Sequence, residues 1–208
     1  MKPEGQVAPA PGAPQAIVIG GSAGALEALS LLLPGLPADM TIPIVVVLHL
    51  PRRRPSLLAG LLGRGLGRPV REPEDKEPFA PSVVYVAPPD YHLLVDKGPS
   101  FALSVDEPVN FSRPSIDVLF QSAADVLGRR LMAILLSGAN ADGALGMKAI
   151  LAASGLAIIQ APEQSPCPAM PAAAIFLCPG ARVLPVEAIR DCLHGLGGAG
   201  TRRGQGTP

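Results

Sequence analysis

Apolar residues along this chain recur in two rhythms: short unbroken runs such as Ile17-Val18-Ile19 and Ile44-Val45-Val46-Val47-Leu48, and longer stretches with apolar positions every three or four residues. The first rhythm marks buried strands and the second amphipathic helices. Read in order, the chain gives strand 16–20, helix 24–33, strand 43–48, helix 55–63 and strands 82–86, 92–95 and 101–105. It continues with helix 115–127, strand 131–136, helix 142–153, strand 156–160 and helix 186–194. Such alternation predicts an α/β fold, a doubly wound and mostly parallel sheet flanked by helices. The stretch from Val83 to Val105 is broken by turns at Pro88-Pro89-Asp90 and Asp96-Lys97-Gly98, and reads as a short antiparallel hairpin insertion at a sheet edge.

The ends depart from both rhythms. Residues 1–14 are rich in Pro, Gly and Ala, and 196–208 in Gly, Arg and Thr, so both are expected to be disordered tails around one domain at 15–195. A length of 208 residues suits a single domain with a substantial core.

Charge narrows the function. Lys and Arg balance Asp and Glu at 17 each, and aromatic residues are scarce, so neither nucleic acid nor an anionic membrane surface is an expected partner. No apolar run approaches a membrane span and no secretory leader pattern opens the chain, which predicts a cytoplasmic protein without membrane insertion. Cys167, Cys178 and Cys192 lack the spacing of a disulfide framework or a zinc site, and no other ligand cluster calls for a metal or cofactor.

Candidate chemistry begins at Gly20-Gly21-Ser22-Ala23-Gly24, where a strand runs through G-x-S-x-G into a helix. Glycines flanking a serine permit the sharp turn of a nucleophile elbow, which lifts the hydroxyl above the sheet and aims early helix N–H groups at it. A dinucleotide fingerprint would need glycine at Ser22 and Ala25, and the Walker ending is missing. A plainer role for Ser22 as a helix cap fits its residue type equally well.

Ligands of doubly wound sheets bind beyond the carboxyl ends of the strands. Three reactive residues fall there: Ser22, His49 after Ile44–Leu48, and Asp142 in Ser137-Gly138-Ala139-Asn140-Ala141-Asp142-Gly143. Together they form a candidate Ser-His-Asp triad, although Asp142 alone would suit a cap for the helix starting at Gly143. His92 and His194 are less favourably placed. The order Ser, His, Asp differs from that of α/β-hydrolases and disfavours ordinary lipases and esterases.

These residues resemble the catalytic domain of chemotaxis protein-glutamate methylesterases. The resemblance runs through Ile19–Gly24, His49-Leu50-Pro51, Val84–Leu93, Arg113–Phe120, Ser137–Gly143, Gln160–Glu163 and Met170–Ala174. It implies that Ser22, His49 and Asp142 are the catalytic residues and that glutamyl methyl esters on cytoplasmic chemoreceptor helices are the substrate. Glutamate and methanol would be the products, and glutamine deamidation a second activity of some relatives. The oxyanion would then be met by backbone donors at Ala23 or in the 138–140 loop, with Gly24, Gly138, Ala139 and Asn140 in the neighbourhood. Asn140 carries the one obvious side-chain amide there.

The family pattern is not followed everywhere. Ala25 replaces a usual glycine, Leu48 a usual glutamine, Ala139 a usual methionine and Asn140 a glycine, the last being a residue that tolerates left-handed backbone. Too few residues precede the first strand to form the receiver domain common in the family, so the expected form is stand-alone, with a separate regulator as one means of gating. Arg52-Arg53-Arg54 follows the site histidine and is either a solvated loop or a steering patch for acidic receptor helices. Arg113-Pro114-Ser115 reads as a helix start capped by Ser115. A non-catalytic binding module with the same fold, or a small-molecule acyl hydrolase with a deep apolar pocket, are the alternatives.

Overall fold

A computed structural model describes residues 13–49 and 57–197. Both expected tails lie almost wholly outside the described residues, as does Arg52 with its two neighbouring arginines. Nine strands and six helices are present among the described residues. β1 (Ala16–Gly21), β2 (Ile44–Leu48), β3 (Val70–Arg71), β4 (Val84–Val86), β7 (Leu131–Leu135), β8 (Leu156–Gln160) and β9 (Arg182–Leu184) form one sheet in the order β3-β4-β2-β1-β7-β8-β9. Every pairing within it is parallel. β5 (His92–Asp96) and β6 (Ser100–Ser104) make a separate antiparallel pair.

The insertion is therefore smaller than its sequence suggested. Val84–Val86 pairs in parallel with β2 and β3, and only β5 and β6 form the hairpin. The run Val84-Tyr85-Val86 is buried on both faces, which is the environment of a central parallel strand.

Side-chain alternation sends each strand into two cores. Ile17, Ile19, Val46, Ile134 and Ile158 pack with Leu29 and Leu32 of α1 (Ala25–Leu32), Leu58 and Leu62 of α2 (Leu58–Gly63), and Ile189 and Leu193 of α6 (Val186–His194). Val18, Val45, Val47, Leu135 and Ile159 pack on the other face. Their partners there are Ile116 and Phe120 of α3 (Ile116–Leu127), Met147 of α4 (Ala144–Ala152), Met170 of α5 (Ala169–Leu177), and Phe101 of the hairpin. With β1 flanked by β2 on one side and β7 on the other, the chain changes winding direction at β1. The carboxyl ends of these three strands thus border the crevice where such sheets bind ligands.

Three elements escape the sequence reading. α5 carries Pro171 in its first turn, where the missing N–H costs nothing because no intrahelical acceptor waits for it. β3 and β9 are short and partly exposed, so neither shows a buried run. No helix among the described residues is long and apolar enough to cross a membrane.

Candidate active site

Register brings two of the three candidate residues side by side on one rim. Gly21 of β1 pairs with Leu48 of β2, and the next residues along are Ser22 and His49. The His49 N–H donates to the Gly21 carbonyl at 3.2 Å, and the Ser22 N–H donates to the Ser137 carbonyl at 2.9 Å. The Gly21–Ser22 peptide is thereby held from both sides, by residues just beyond the ends of β2 and β7. The turn that follows closes when the Ala25 N–H donates to the Ser22 carbonyl at 3.0 Å. Gly24, with φ +81°, makes the left-handed step into α1 that a side chain would resist.

Ser22 is half-buried, and its hydroxyl makes no hydrogen bond among the described residues. The cap reading of this residue therefore finds no support: α1 has no side-chain cap. Beneath the turn, the Ser137 hydroxyl donates to the Ala23 carbonyl at 2.8 Å and accepts from the Cys167 N–H at 2.9 Å. Gln160 Oε1 in turn accepts from the Ser137 N–H at 2.9 Å. These buried bonds fix the backbone on which the serine rides.

His49 and Asp142 meet directly. Nε2 of His49 lies 2.7 Å from Asp142 Oδ2, with the histidine side chain 11% exposed and the aspartate fully buried. Asp142 also accepts from Ser115 Oγ at 2.8 Å, Asn110 Nδ2 at 3.0 Å, and the backbone N–H groups of Ile116 at 2.7 Å and Asp117 at 3.1 Å. Burial works to raise its pKa, but the bonds from His49, Ile116, Asn110 and Ser115 outweigh burial and hold it at about 2. The carboxylate is ionised and saturated with donors.

Two of those donors correct the sequence reading. Asp142 does not cap its own helix, whose N-cap is Gly143 at φ +92° without a side-chain bond; it caps α3 instead, where the free N–H groups and the helix dipole favour an anion. Ser115 stands at the N-cap position of α3 yet makes no side-chain cap, because its hydroxyl is given to Asp142. The α3 terminus is thus closed by a residue distant in sequence.

A second carboxylate sits beside the first. Asp117 accepts from Gly146 N–H at 2.7 Å and from Asn110 Nδ2 at 3.0 Å. Burial, reinforced by the nearby Asp142 charge, raises its pKa. Asn110 therefore bridges the two acids with one amide nitrogen.

The expected oxyanion donors divide. The Gly138 N–H is committed to the Cys167 carbonyl at 3.0 Å, which removes it from the set. Asn140 turns its side-chain oxygen to the Asp142 N–H at 3.1 Å and has no left-handed backbone; that conformation occurs at Asn110 and Phe111 instead. The N–H groups of Ala23, Gly24, Ala139 and Asn140 carry no hydrogen bond among the described residues, and Ala23 and Ala139 are exposed. Arg113 gives Nη1 to the carbonyls of Val105 and Asp106 at 2.6 and 2.9 Å, a brace for the segment before α3.

Sequence reasoning missed Ser112 and Asn110. Ser112 Oγ lies 3.4 Å from His49 Nδ1, the ring nitrogen that Asp142 leaves open. The only sequence signal was their position just before Arg113-Pro114-Ser115.

The CheB methylesterase family model matches residues 17–193, from the second residue of β1 to the last but one of α6. The chain belongs to the CheB methylesterase family. A putative protein-glutamate methylesterase/protein-glutamine glutaminase of Leptospira interrogans is 44% identical over 85% of this chain and 92% of its own length. A protein-glutamate methylesterase/protein-glutamine glutaminase of Carboxydothermus hydrogenoformans is 41% identical over 85% of this chain, which spans 54% of that relative. The crystal structure of the Thermotoga maritima CheB methylesterase catalytic domain superimposes with a TM-score of 0.82 at 31% identity, covering 88% of this chain and 99% of that domain. The described fold is that of the CheB catalytic domain.

Proposed function

We propose that this chain is a serine hydrolase that removes methyl esters from glutamate side chains of chemoreceptor helices, with Ser22 as nucleophile, His49 as base and Asp142 as its orienting partner. The observation that carries the reading is the 2.7 Å contact between His49 Nε2 and a fully buried Asp142, on the strand rim that also holds Ser22. An ionised Asp142 holds the proton on Nε2 and leaves the lone pair on Nδ1. Nδ1 then accepts the Ser22 proton as the hydroxyl attacks the ester carbonyl.

The tetrahedral oxyanion is met by the uncommitted N–H groups of the Ala23–Gly24 turn or of Ala139–Asn140. As it collapses, His49 returns the proton to the leaving oxygen and methanol departs. Water, activated by the same nitrogen, releases glutamate and restores Ser22. An amide substrate follows the same path with ammonia leaving, which accommodates the glutaminase activity carried in the names of its relatives. Receptor helices of this kind lie in the cytoplasm, so the enzyme works there, under a separate regulator where gating is needed.

Methanol release from methylated receptor fragments, measured for the chain and for Ser22→Ala, tests the proposal. Release by the parent and its loss in the variant is expected. A folded parent that releases none would overturn it.

A further inference from the structure

Leu26 on α1, Leu57 at the N-cap of α2 and Leu61 within α2 are 38%, 82% and 49% exposed. Leu57 and Leu61 stand one helical turn apart, so α2 shows an edge of leucine to water. The outer side of α1 is no more polar: Leu26, Ser30 and Leu33 recur at helical spacing, and the Ser30 hydroxyl is spent on the Leu26 carbonyl at 2.9 Å. Between the two helices lies a groove of about 360 Å³, walled by Leu26, Leu29, Ser30 and Leu33 on one side and by Leu61 and Arg64 on the other. Single leucines at a surface need no explanation, but leucines gathered along both walls of one groove mark a contact site.

Size selects the occupant. Eight of the described residues line the groove, against about 20–30 on each side of a stable interface between two proteins. A single amphipathic helix fits that scale, with an apolar side chain entering at every third or fourth position. Charge narrows the choice to an acidic helix, because Arg64 lines the groove and makes no ion pair among the described residues. Position then joins the groove to the proposed site. α1 opens at Ala25, just past Ser22, and α2 is the helix that follows His49, so each wall is the helix leaving one rim residue. From Leu26 to Leu33 the groove runs about 10 Å, or two helical turns. A helix seated there and continuing past Leu26 carries its next turn towards the rim.

We infer that the groove between α1 and α2 is the docking site for the apolar face of the acidic, amphipathic helix that carries the ester. Unmodified glutamates beside the apolar seam face Arg64, and the seam itself takes the leucines out of water. Small esters reach Ser22 without touching the groove. The inference rests on the proposed methylesterase activity.

The test compares kcat/KM for a methylated receptor fragment with kcat/KM for p-nitrophenyl acetate, in the parent, Leu57→Glu, Leu61→Glu and Arg64→Glu. All three positions are exposed, so the substitutions cost the fold little. Leu61→Glu is expected to lower the receptor-to-small-ester ratio roughly tenfold, mainly through KM, with hydrolysis of p-nitrophenyl acetate unchanged. Leu57→Glu acts in the same direction, and the loss in Arg64→Glu shrinks as salt is added. An unchanged ratio in both leucine variants, or equal losses on both substrates, would overturn the inference. So would light scattering that finds the parent dimeric and Leu61→Glu monomeric, which gives the groove to a second copy of the chain. A parent that cleaves p-nitrophenyl acetate but not the receptor fragment defeats the methylesterase reading itself and this inference with it.

Discussion

Ser112, not Ser22, supplies the hydroxyl that lies beside the open ring nitrogen of His49, at 3.4 Å from Nδ1. The distance is long for an O–H···N bond, so the contact is weak and can be exchanged for the proposed nucleophile, Ser22. The proposed role of Ser22 and the contact made by Ser112 can be told apart. Ser22→Ala should abolish ester hydrolysis with little loss of stability, since the Ser22 hydroxyl has no hydrogen bond to lose among the described residues. Ser112→Ala should retain most of its activity. Stopped-flow acylation with an activated ester checks both, and a Ser112 variant as dead as the Ser22 variant would reverse the roles proposed.

Asp142→Asn should lower kcat by about three to four orders of magnitude, because an amide no longer fixes the proton on Nε2. It should also destabilise the fold by about 3 kcal/mol, since the new NH₂ group faces donors from Ser115, Ile116 and Asp117. Denaturant unfolding alongside steady-state kinetics measures both.

Acid should unmask the same residue in the parent. The folded Asp142 carboxyl titrates at about 2, below its ordinary 3.8, so its stabilisation is complete above about pH 4 and disappears as pH falls through 2. The shift corresponds to about 2 kcal/mol. Asp117 has the opposite sign: its raised pKa means that the folded state takes up that proton first, which offsets part of the loss. Subtracting the acid unfolding curve of Asp142→Asn from that of the parent isolates the first effect.

Asn110→Ala removes one amide from two buried carboxylates. Stability should fall by about 1–3 kcal/mol, the cost of leaving buried acceptors unmet. The pKa values of Asp142 and Asp117 should both rise. Carboxyl chemical shifts followed by NMR titration would show it.

Gly143→Ala is expected to be severe. Its φ is +92°, and an added Cβ would come within 2.6 Å of Leu135 Cδ1 and 2.8 Å of Ile116 Cγ2. Strain and overpacking together should cost about 2–4 kcal/mol, readable as a lower thermal midpoint.

The parts of this fold that were legible in the sequence are those with a local cause. β1, β2, β7 and β8 are unbroken apolar runs because both of their faces are covered, and that burial is written into consecutive residues. The rim positions of Ser22, His49 and Asp142 followed from strand ends alone. What surrounds Asp142 was not legible, because its donors come from Asn110, Ser115 and the start of α3, across gaps of 25 to 32 residues. Ser115 shows the limit most clearly: it occupies the position that local rules assign to a cap, and a tertiary partner takes its hydroxyl. α5 was hidden by Pro168 and Pro171, residues that read as breakers yet are harmless at and just inside a helix start.

A buried carboxylate that closes the end of α3 while it also holds His49, the proposed base, is constrained twice over. A lineage that lost the reaction could discard Ser22 at almost no cost to folding, but could not discard Asp142 without loosening a helix packed against the sheet. Among chains of this fold, an intact aspartate would then testify to a standing structure, and only the serine to a working one.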